Sequence, residues 1–300
     1  MKKVAIYGQS FHANAIKEVL LLLHVLQEKN IVVFFEKQFY DLYQEEHMLP
    51  KKYPTFSHFR DLNNSFDLFF TIGGDGTILR SISFIRDLNI PVLGINTGRL
   101  GFLATIQKEE IQHVIELLLK KEYSIQERTL LDVQTTPQSE ATLDINFALN
   151  EVTVARKNTT SMIGVKTYLD DEYLTNYWAD GLIIATPTGS TGYSLSCNGP
   201  VVLPNSKSIV ITPIAPHNLN ARPLVISDST KIKLQVSGRE SEFLMSLDSR
   251  ITSIHENTEI IIEKSPFKIQ TIVLKNQSFL KTLRSKLLWG EDTRNLNNQS

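Results

Sequence analysis

The sequence predicts an α/β domain, then a mostly-β domain, then a returning C-terminal helix. Three observations carry this. Short apolar strands alternate with helical patterns up to about Tyr123, β-rich runs separated by turn residues replace them afterwards, and FLKTLRSKLLWG is helical again. The change of period sets the domains at 1–125, 126–275 and 276–300, the last being a helix and tail packing on the first domain.

In the first region VAIY (Val4–Tyr7) reads as a strand and Ala13–Glu28 as a helix with apolar residues at helical spacing. IVVFF, DLFFTI and PVLGI follow as strands, with helices over Ile78–Leu88 and in EEIQHVIELLLKK. Such alternation gives parallel βαβ units, whose ligands lie at the carboxyl ends of the strands. In the second region SIQERTLLDVQTT, NEVTVAR, IGVKTYLDDEYLTNYW, GLIIAT, SIVITPI, PLVIS, KIKLQV, FLMSLD and EIIIEK are short and β-rich. LDDEYL, flanked by alternating residues, predicts a hairpin. The polar end RNLNNQS predicts fraying.

A chain of 300 residues has room for two domains of ordinary size. Charged residues make up 21% and the net charge is -1, which argues against a general polyanion binder and so against a nucleic-acid partner. Tyr7, Gly8, Gln9 and Ser10 interrupt the opening apolar run too early for a secretory signal. VLLLLHVL (Val19–Leu26) is far shorter than the roughly 20 residues of a membrane span. The expectation is a soluble, cytoplasmic protein with no membrane partner. Cys197, the single cysteine, excludes an intramolecular disulfide framework and a cysteine-rich zinc site.

TIGGDGTILR (Thr71–Arg80) stands where a strand turns into a helix. Gly73, Gly74 and Gly76 can take backbone angles closed to other residues and let a phosphate approach the main chain. Successive amides there form an anion nest, and Thr77 suits a cap or a phosphate contact. Arg80, one turn on, reaches for a phosphate or for solvent. No Gly-Lys pair occurs, so this is no Walker A loop, and no GxGxxG follows the first strand. Asp75 among those amides suits phosphoryl transfer: it can aim a hydroxyl at a γ-phosphate and take its proton late in a loose transition state. It can also hold Mg²⁺ between phosphates, or simply cap amides of the turn.

TPTGSTGYSLS (Thr186–Ser196) follows the strand GLIIA and crowds hydroxyls of Thr186, Thr188, Ser190, Thr191, Ser194 and Ser196 around Gly189 and Gly192. Such a turn opening a helix binds phosphate or ribose without a cation, and Tyr193 offers a face for a base, though clusters of this kind are commonly plain loops. Asp180 in WADGL and the pair Asn150–Glu151 fit dinucleotide recognition, carboxylates for ribose hydroxyls and an amide for a base edge; each also fits a turn or strand start. His217 and Arg222, in HNLNARP between two strands, read as scaffold.

GGDGT, NTGRLGFL (Asn96–Leu103), NEV, ADGLIIATPTGSTGYSLS, PHNLNARPLVI, SLDSR and the terminal KLLWGED together resemble bacterial ATP-dependent NAD kinases, from about Val4 to Glu291. The resemblance implies an α/β first domain, a sandwich-like, NAD-binding second domain and a helix returning to the first. It implies γ-phosphate transfer from ATP, with a divalent cation such as Mg²⁺, to the 2′-hydroxyl of the adenosine ribose of NAD. By position, Asp75 resembles the proton acceptor, with Gly76 beside it at the NAD, and Asn150 and Glu151 resemble the pair holding the ribose and nicotinamide portions. Asp180, Thr191, Gly192, Tyr193, Ser194 and Ser196 resemble further NAD contacts, some from a neighbouring subunit of a homodimer or homotetramer. Gly73, Gly74, Thr77 and Arg80 are the phosphate-binding candidates, and no residue is assigned to metal. Three positions depart from the pattern: TGY stands for TAY, Arg250 follows SLDS where glutamine is expected, and Trp178, which bears on the choice between NAD and NADH, replaces a small or basic residue. The competing readings are another GGDGT-type kinase, acting on a lipid or sugar, and a non-catalytic NAD(H) sensor.

Overall fold

Strands buried on both faces need helices on both sides, and the first half of this chain is built that way. The computed structural model describes residues 1–9, 16–45, 49–98, 100–138, 144–158, 161–275 and 277–289. It divides into one unit of residues 1–126 with 270–300 and another of residues 127–269. The expected helix start at Ala13, Arg99 of NTGRLGFL, the end of KLLWGED and the polar tail lie outside the described residues.

The first unit runs β1 (Lys3–Gly8), α1 (Ile16–Glu28), β2 (Val32–Glu36), α2 (Lys37–Glu45), β3 (Thr55–Phe56), β4 (Leu68–Ile72), α3 (Asp75–Ile85), β5 (Val92–Asn96), β6 (Ile106–Gln107) and α4 (Ile111–Leu119). Strands β5–β4–β1–β2–β3 pair in parallel in that order. Side chains alternate across them: Val4 and Ile6 join Leu22, Leu26, Phe39 and Ile115 in one core, while Tyr7 packs on Phe69 and on Phe84 of α3. Each such buried Leu, Ile or Phe contributes about 1.5–3 kcal/mol. Gly8 lies opposite Ile72, and Ile72 opposite Ile95, so β1, β4 and β5 end level and present their following loops at one edge.

Two differences from the sequence reading have local causes. Helix α2 was not expected; buried Glu36 nucleates it by accepting from the amides of Gln38 and Phe39, with Phe39 and Tyr43 facing the core. Helix α3 starts at Asp75, not Ile78, because extended Gly74 caps it directly and an acid in its first turn favours the helix dipole.

The chain enters and leaves the second unit inside β7 (Tyr123–Thr136) and β18 (Glu259–Leu274). Between them lie β8 (Phe147–Ala148), β9 (Glu151–Arg156), β10 (Ile163–Leu169), β11 (Glu172–Ala179), β12 (Gly181–Ala185), the single turn α5 (Tyr193–Ser196), β13 (Ser208–Ile214), β14 (Leu224–Ser227), β15 (Ile232–Ser237), β16 (Glu242–Leu247) and β17 (Arg250–His255). Strands β11–β10–β15–β18 form one antiparallel layer and β14–β13–β12–β9–β16–β17 the other. Ile163, Val165, Ile232, Leu234 and Ile260 from the first layer share a core with Val152, Val154, Leu182, Ile184 and Met245 from the second. This is a β-sandwich.

Helix α6 (Phe279–Leu287) belongs to the first unit, is capped by the Ser278 hydroxyl and sets Phe279 against Phe102. No described helix is long and apolar enough to cross a membrane.

The LDDEYL hairpin is present: Leu169 pairs with Glu172, and Asp170 and Asp171 take φ 50 and 67. Left-handed φ at both central positions is the type I′ geometry that matches strand twist and favours glycine second. Asp171→Gly should therefore raise stability by about 0.5–1 kcal/mol, read as a higher urea midpoint at unchanged slope.

Candidate functional site

Asp75 is the first residue of α3, yet its carboxylate does not cap that helix. It crosses to the NTGRLGFL loop, where Oδ2 accepts from the amide of Phe102 at 2.8 Å and Oδ1 from those of Leu103 at 3.0 Å and Ala104 at 2.8 Å. Asn96 completes the loop, donating to Ala104 O at 3.1 Å and accepting from Gly98 N at 2.7 Å. A Cβ at Gly101 would sit 1.9 Å from Asp75 Oδ1, so the close approach of the carboxylate requires glycine there.

The glycine turn differs from its reading in two respects. Only Gly73 has a positive φ, 146, and Thr77 Oγ1 fills the space its side chain would need; Gly74 and Gly76 face open space. Their lack of side chains keeps the surface clear instead of relieving the backbone. Thr77 is no cap: it is 6% exposed, with its hydroxyl packed on Gly73. Arg80 is exposed and leans to the end of β1. With the Gln9 amide turned so that its oxygen faces the guanidinium, it donates to that oxygen from Nη1 at 2.7 Å and Nε at 2.8 Å.

In the second unit Asn150 immediately precedes β9 and Glu151 opens it. Asp248, in the turn between β16 and β17, gathers their backbone: Oδ1 accepts from the amides of Asn150 at 2.7 Å and Glu151 at 3.2 Å, and Oδ2 from that of Leu149 at 2.9 Å. Asn150 Oδ1 and Glu151 Oε2 are buried without partners. The Tyr193 amide donates to the Glu151 carboxyl, and a Cβ at Gly192 would lie 3.1 Å from Glu151 Oε2 and 3.2 Å from Asn150 Nδ2. Glycine in place of alanine thus leaves room over this pair. The sequence reading passed over Asp248; the acid inside SLDSR was its available signal.

The hydroxyl-rich turn is largely scaffold. Thr186 Oγ1 donates to Leu149 O at 2.6 Å, Ser190 Oγ to Pro187 O at 2.7 Å, and Ser194 Oγ lies 2.8 Å from Thr212 Oγ1. It opens a 3-10 turn and then one α turn, not a full helix. Tyr193 and Ser196 are exposed, and Thr191 and Gly192 half-buried, so these four remain accessible.

Asp180 is ion-paired with Arg156 at 2.9 Å. Both line a cavity of about 630 Å³ with Trp178, His217, Met162 and Arg239. The backbone amide of His217 donates to Trp178 O at 2.8 Å, which ties that loop to β11, and the residue lines the cavity. Arg222 folds onto its own loop, donating to the carbonyls of Leu219 and Ala221. Arg250 donates to the carbonyls of Leu247, Ile145 and Phe147.

Burial, reinforced by the Asp248 carboxylate, pushes Glu151 up to about 8 against the opposing Tyr193 amide. Burial also pushes Asp248 up, with the three amides and Arg250 opposing it.

The profile of the ATP-NAD kinase N-terminal domain matches residues 4–123, and that of the ATP-NAD kinase C-terminal domain residues 149–274. The NAD kinase of Christiangramia forsetii is 60% identical over 98% of this chain and 100% of its own length. That of Flavobacterium psychrophilum is 53% identical with the same coverage. Among solved structures, an NAD kinase from Archaeoglobus fulgidus in complex with ATP has a TM-score of 0.72 at 26% identity, covering 95% of this chain and 98% of that one. The fold is also that of yeast NADH kinase complexed with NADH, with a TM-score of 0.86 at 24% identity, covering 97% and 89%.

Between about pH 4.5 and about 8 the folded chain holds a Glu151 proton that the unfolded chain has released. The folded state then binds more protons, so this group's effect is to lower stability as pH rises through that window. Glu151→Gln should remove the slope and raise stability at pH 8 by about 1–3 kcal/mol relative to pH 5. Urea denaturation at both values checks it; parallel curves for variant and parent would refute it.

Proposed function

The chain belongs to the NAD kinase family, and from that premise we propose how its residues divide the work. It is an ATP-dependent phosphotransferase that moves the γ-phosphate of ATP to the 2′-hydroxyl of the adenosine ribose of NAD, giving NADP. Asp75 accepts the proton of that hydroxyl. The observation that carries this is the unequal loading of its oxygens: Oδ1 takes two amides and Oδ2 one, which leaves one acceptor position on Oδ2. A carboxylate fixed in this way orients the alcohol first and receives its proton late, as a loose transition state requires.

Phosphate binding falls to the glycine turn at Gly74 and to the exposed Arg80 guanidinium, with Gly73 and Thr77 shaping the turn: contrary to the anion nest expected from the sequence, their amides donate to Ile95 O at 2.9 Å and Gly74 O at 3.0 Å. In the second unit Asn150 and Glu151 hold NAD, and their unpartnered Oδ1 and Oε2 support this; in the first, Gly76 keeps the surface beside Asp75 open to it. Tyr193 offers its ring, Thr191, Gly192 and Ser196 line the same turn, Ser194 contributes only backbone, and Asp180 acts from the cavity beside Trp178.

No cluster of three or more His, Cys, Asp or Glu suited to a metal ion occurs among the described residues, and Asp75 is mostly occupied. The described residues thus offer no three-ligand protein cage for a divalent cation. Mg²⁺ would enter with the ATP phosphates and offset their charge. A cytoplasmic setting is supported by free Cys197, and a homodimer or homotetramer by exposed Val225 and Ile251 on the two edge strands of the second unit's larger sheet.

Asp75→Asn keeps the side chain's shape but turns a donor toward the Phe102 amide. In a coupled assay for NADP, its turnover should fall by about 10²–10⁴-fold, while calorimetry still detects NAD binding. Undiminished turnover would remove Asp75 as the proton acceptor.

A further inference from the structure

We propose that the two-residue turn between β16 and β17 is a charge-split clamp in which Asp248 and Arg250 are positioning residues that hold Asn150 and Glu151 in register for the dinucleotide. This rests on the reading that Asn150 and Glu151 bind NAD. Leu247 pairs with Arg250 across the turn and with Val152 of β9, so the turn hangs directly over the start of β9. Its acidic arm binds donors: the Asp248 carboxylate accepts from the amides of Leu149, Asn150 and Glu151. The Asp248 amide in turn donates to Glu151 O at 2.9 Å. Its basic arm binds acceptors: Arg250 donates to Ile145 O at 3.3 Å, to Phe147 O and to Leu247 O at 3.2 Å, with its guanidinium 5.7 Å from the Phe147 ring centroid. Opposite charges thus fasten opposite backbone groups on either side of Ala148.

Two further observations separate this from ordinary turn formation. Asp248 sits at φ 53, a conformation in which glycine is at ease, so the turn retains a side chain where its own geometry favours none. The segment so fastened ends in two buried polar atoms, Asn150 Oδ1 and Glu151 Oε2, that nothing in the described chain satisfies. Buried polar atoms without partners are rare in native structures. Rigid backbone beneath unpaired side-chain atoms is the arrangement of a preorganised binding pair, whose ordering is done before the ligand arrives. The arginine that replaces the expected glutamine has its work here, on backbone carbonyls.

Kinetics of the full chain test this, with NAD varied at saturating ATP and ATP varied at saturating NAD. Asp248→Gly suits the turn's φ, so the hairpin still closes while the carboxylate is lost. The KM for NAD should rise about tenfold or more, with the KM for ATP within about twofold. Arg250→Lys keeps the charge but not the fork, and should raise the KM for NAD by about three- to tenfold. Asp248→Asn adds a readout that a structural role alone would not move. The groups around Glu151 are Asp248, Arg250 behind it, and the Tyr193 amide, with Asp180 and Cys197 beyond Tyr193. Removing the Asp248 charge should lower the alkaline inflection of kcat/KM for NAD. If Glu151→Gln raises the KM for NAD but the Asp248 and Arg250 variants match the parent in KM and pH profile, the clamp is overturned and the NAD reading stands. If both KM values rise together with a lowered melting temperature and an unmoved inflection, the turn is only structural and the clamp is overturned. If Asn150→Ala and Glu151→Gln leave the KM for NAD unchanged, the NAD reading falls and the clamp with it.

Discussion

A carboxylate that gathers three backbone amides organises each unit of this chain. Asp75 does so with Phe102, Leu103 and Ala104, and Asp248 with Leu149, Asn150 and Glu151. Hydrogen bonds to an ionised acceptor are roughly twice as strong as neutral ones, and several on one anion offset its desolvation. They fix loops that no helix or sheet ladder would fix. Loss of either carboxylate would leave a run of amides without acceptors, which is why both act beyond their own positions.

The α/β unit turns this constraint into a site by simple geometry. Parallel strands β1, β4 and β5 end level, so the Gln9, GGDGT and NTGRLGFL segments emerge side by side. Asp75 then joins two of them, and Gly101 is there because the carboxylate comes too close for any side chain. Arg80 meets Gln9 at the third. The glycines of the turn divide into one that the backbone needs, Gly73, and two that leave space open, Gly74 and Gly76.

In the sandwich, polar residues of similar type have separate duties. Thr186, Ser190 and Ser194 satisfy interior partners and shape the turn after β12. Tyr193 and Ser196 stay exposed beside them. Composition alone marks all five as a hydroxyl-rich cluster, and only the hydrogen-bond inventory separates scaffold from surface. The same inventory places Asn150 and Glu151 among the residues whose side chains keep buried atoms unpaired. Glu151 holds its proton for a related reason: burial and a like charge both disfavour the anion.

Local sequence determined the strand–helix alternation, the switch to β-rich runs, the LDDEYL hairpin and the motifs GGDGT, NE and the glycine-hydroxyl turn, on which the proposed site rests. Period, turn residues and motif order are properties of neighbours, and neighbours are what a sequence displays. The partners of Asp75 lie 27 to 29 residues away and those of Asp248 97 to 99, and no spacing rule links them. Helix α2 escaped notice because its start depends on the buried Glu36 carboxylate capping it. Arg250 could be seen as a departure from pattern, but its carbonyl partners depend on where Ile145 and Phe147 lie in space. Tertiary structure alone decided which polar atoms are satisfied and which stay unpaired, because hydrogen bonds form between groups that folding brings within 3 Å or so of each other, however far apart they stand in the chain.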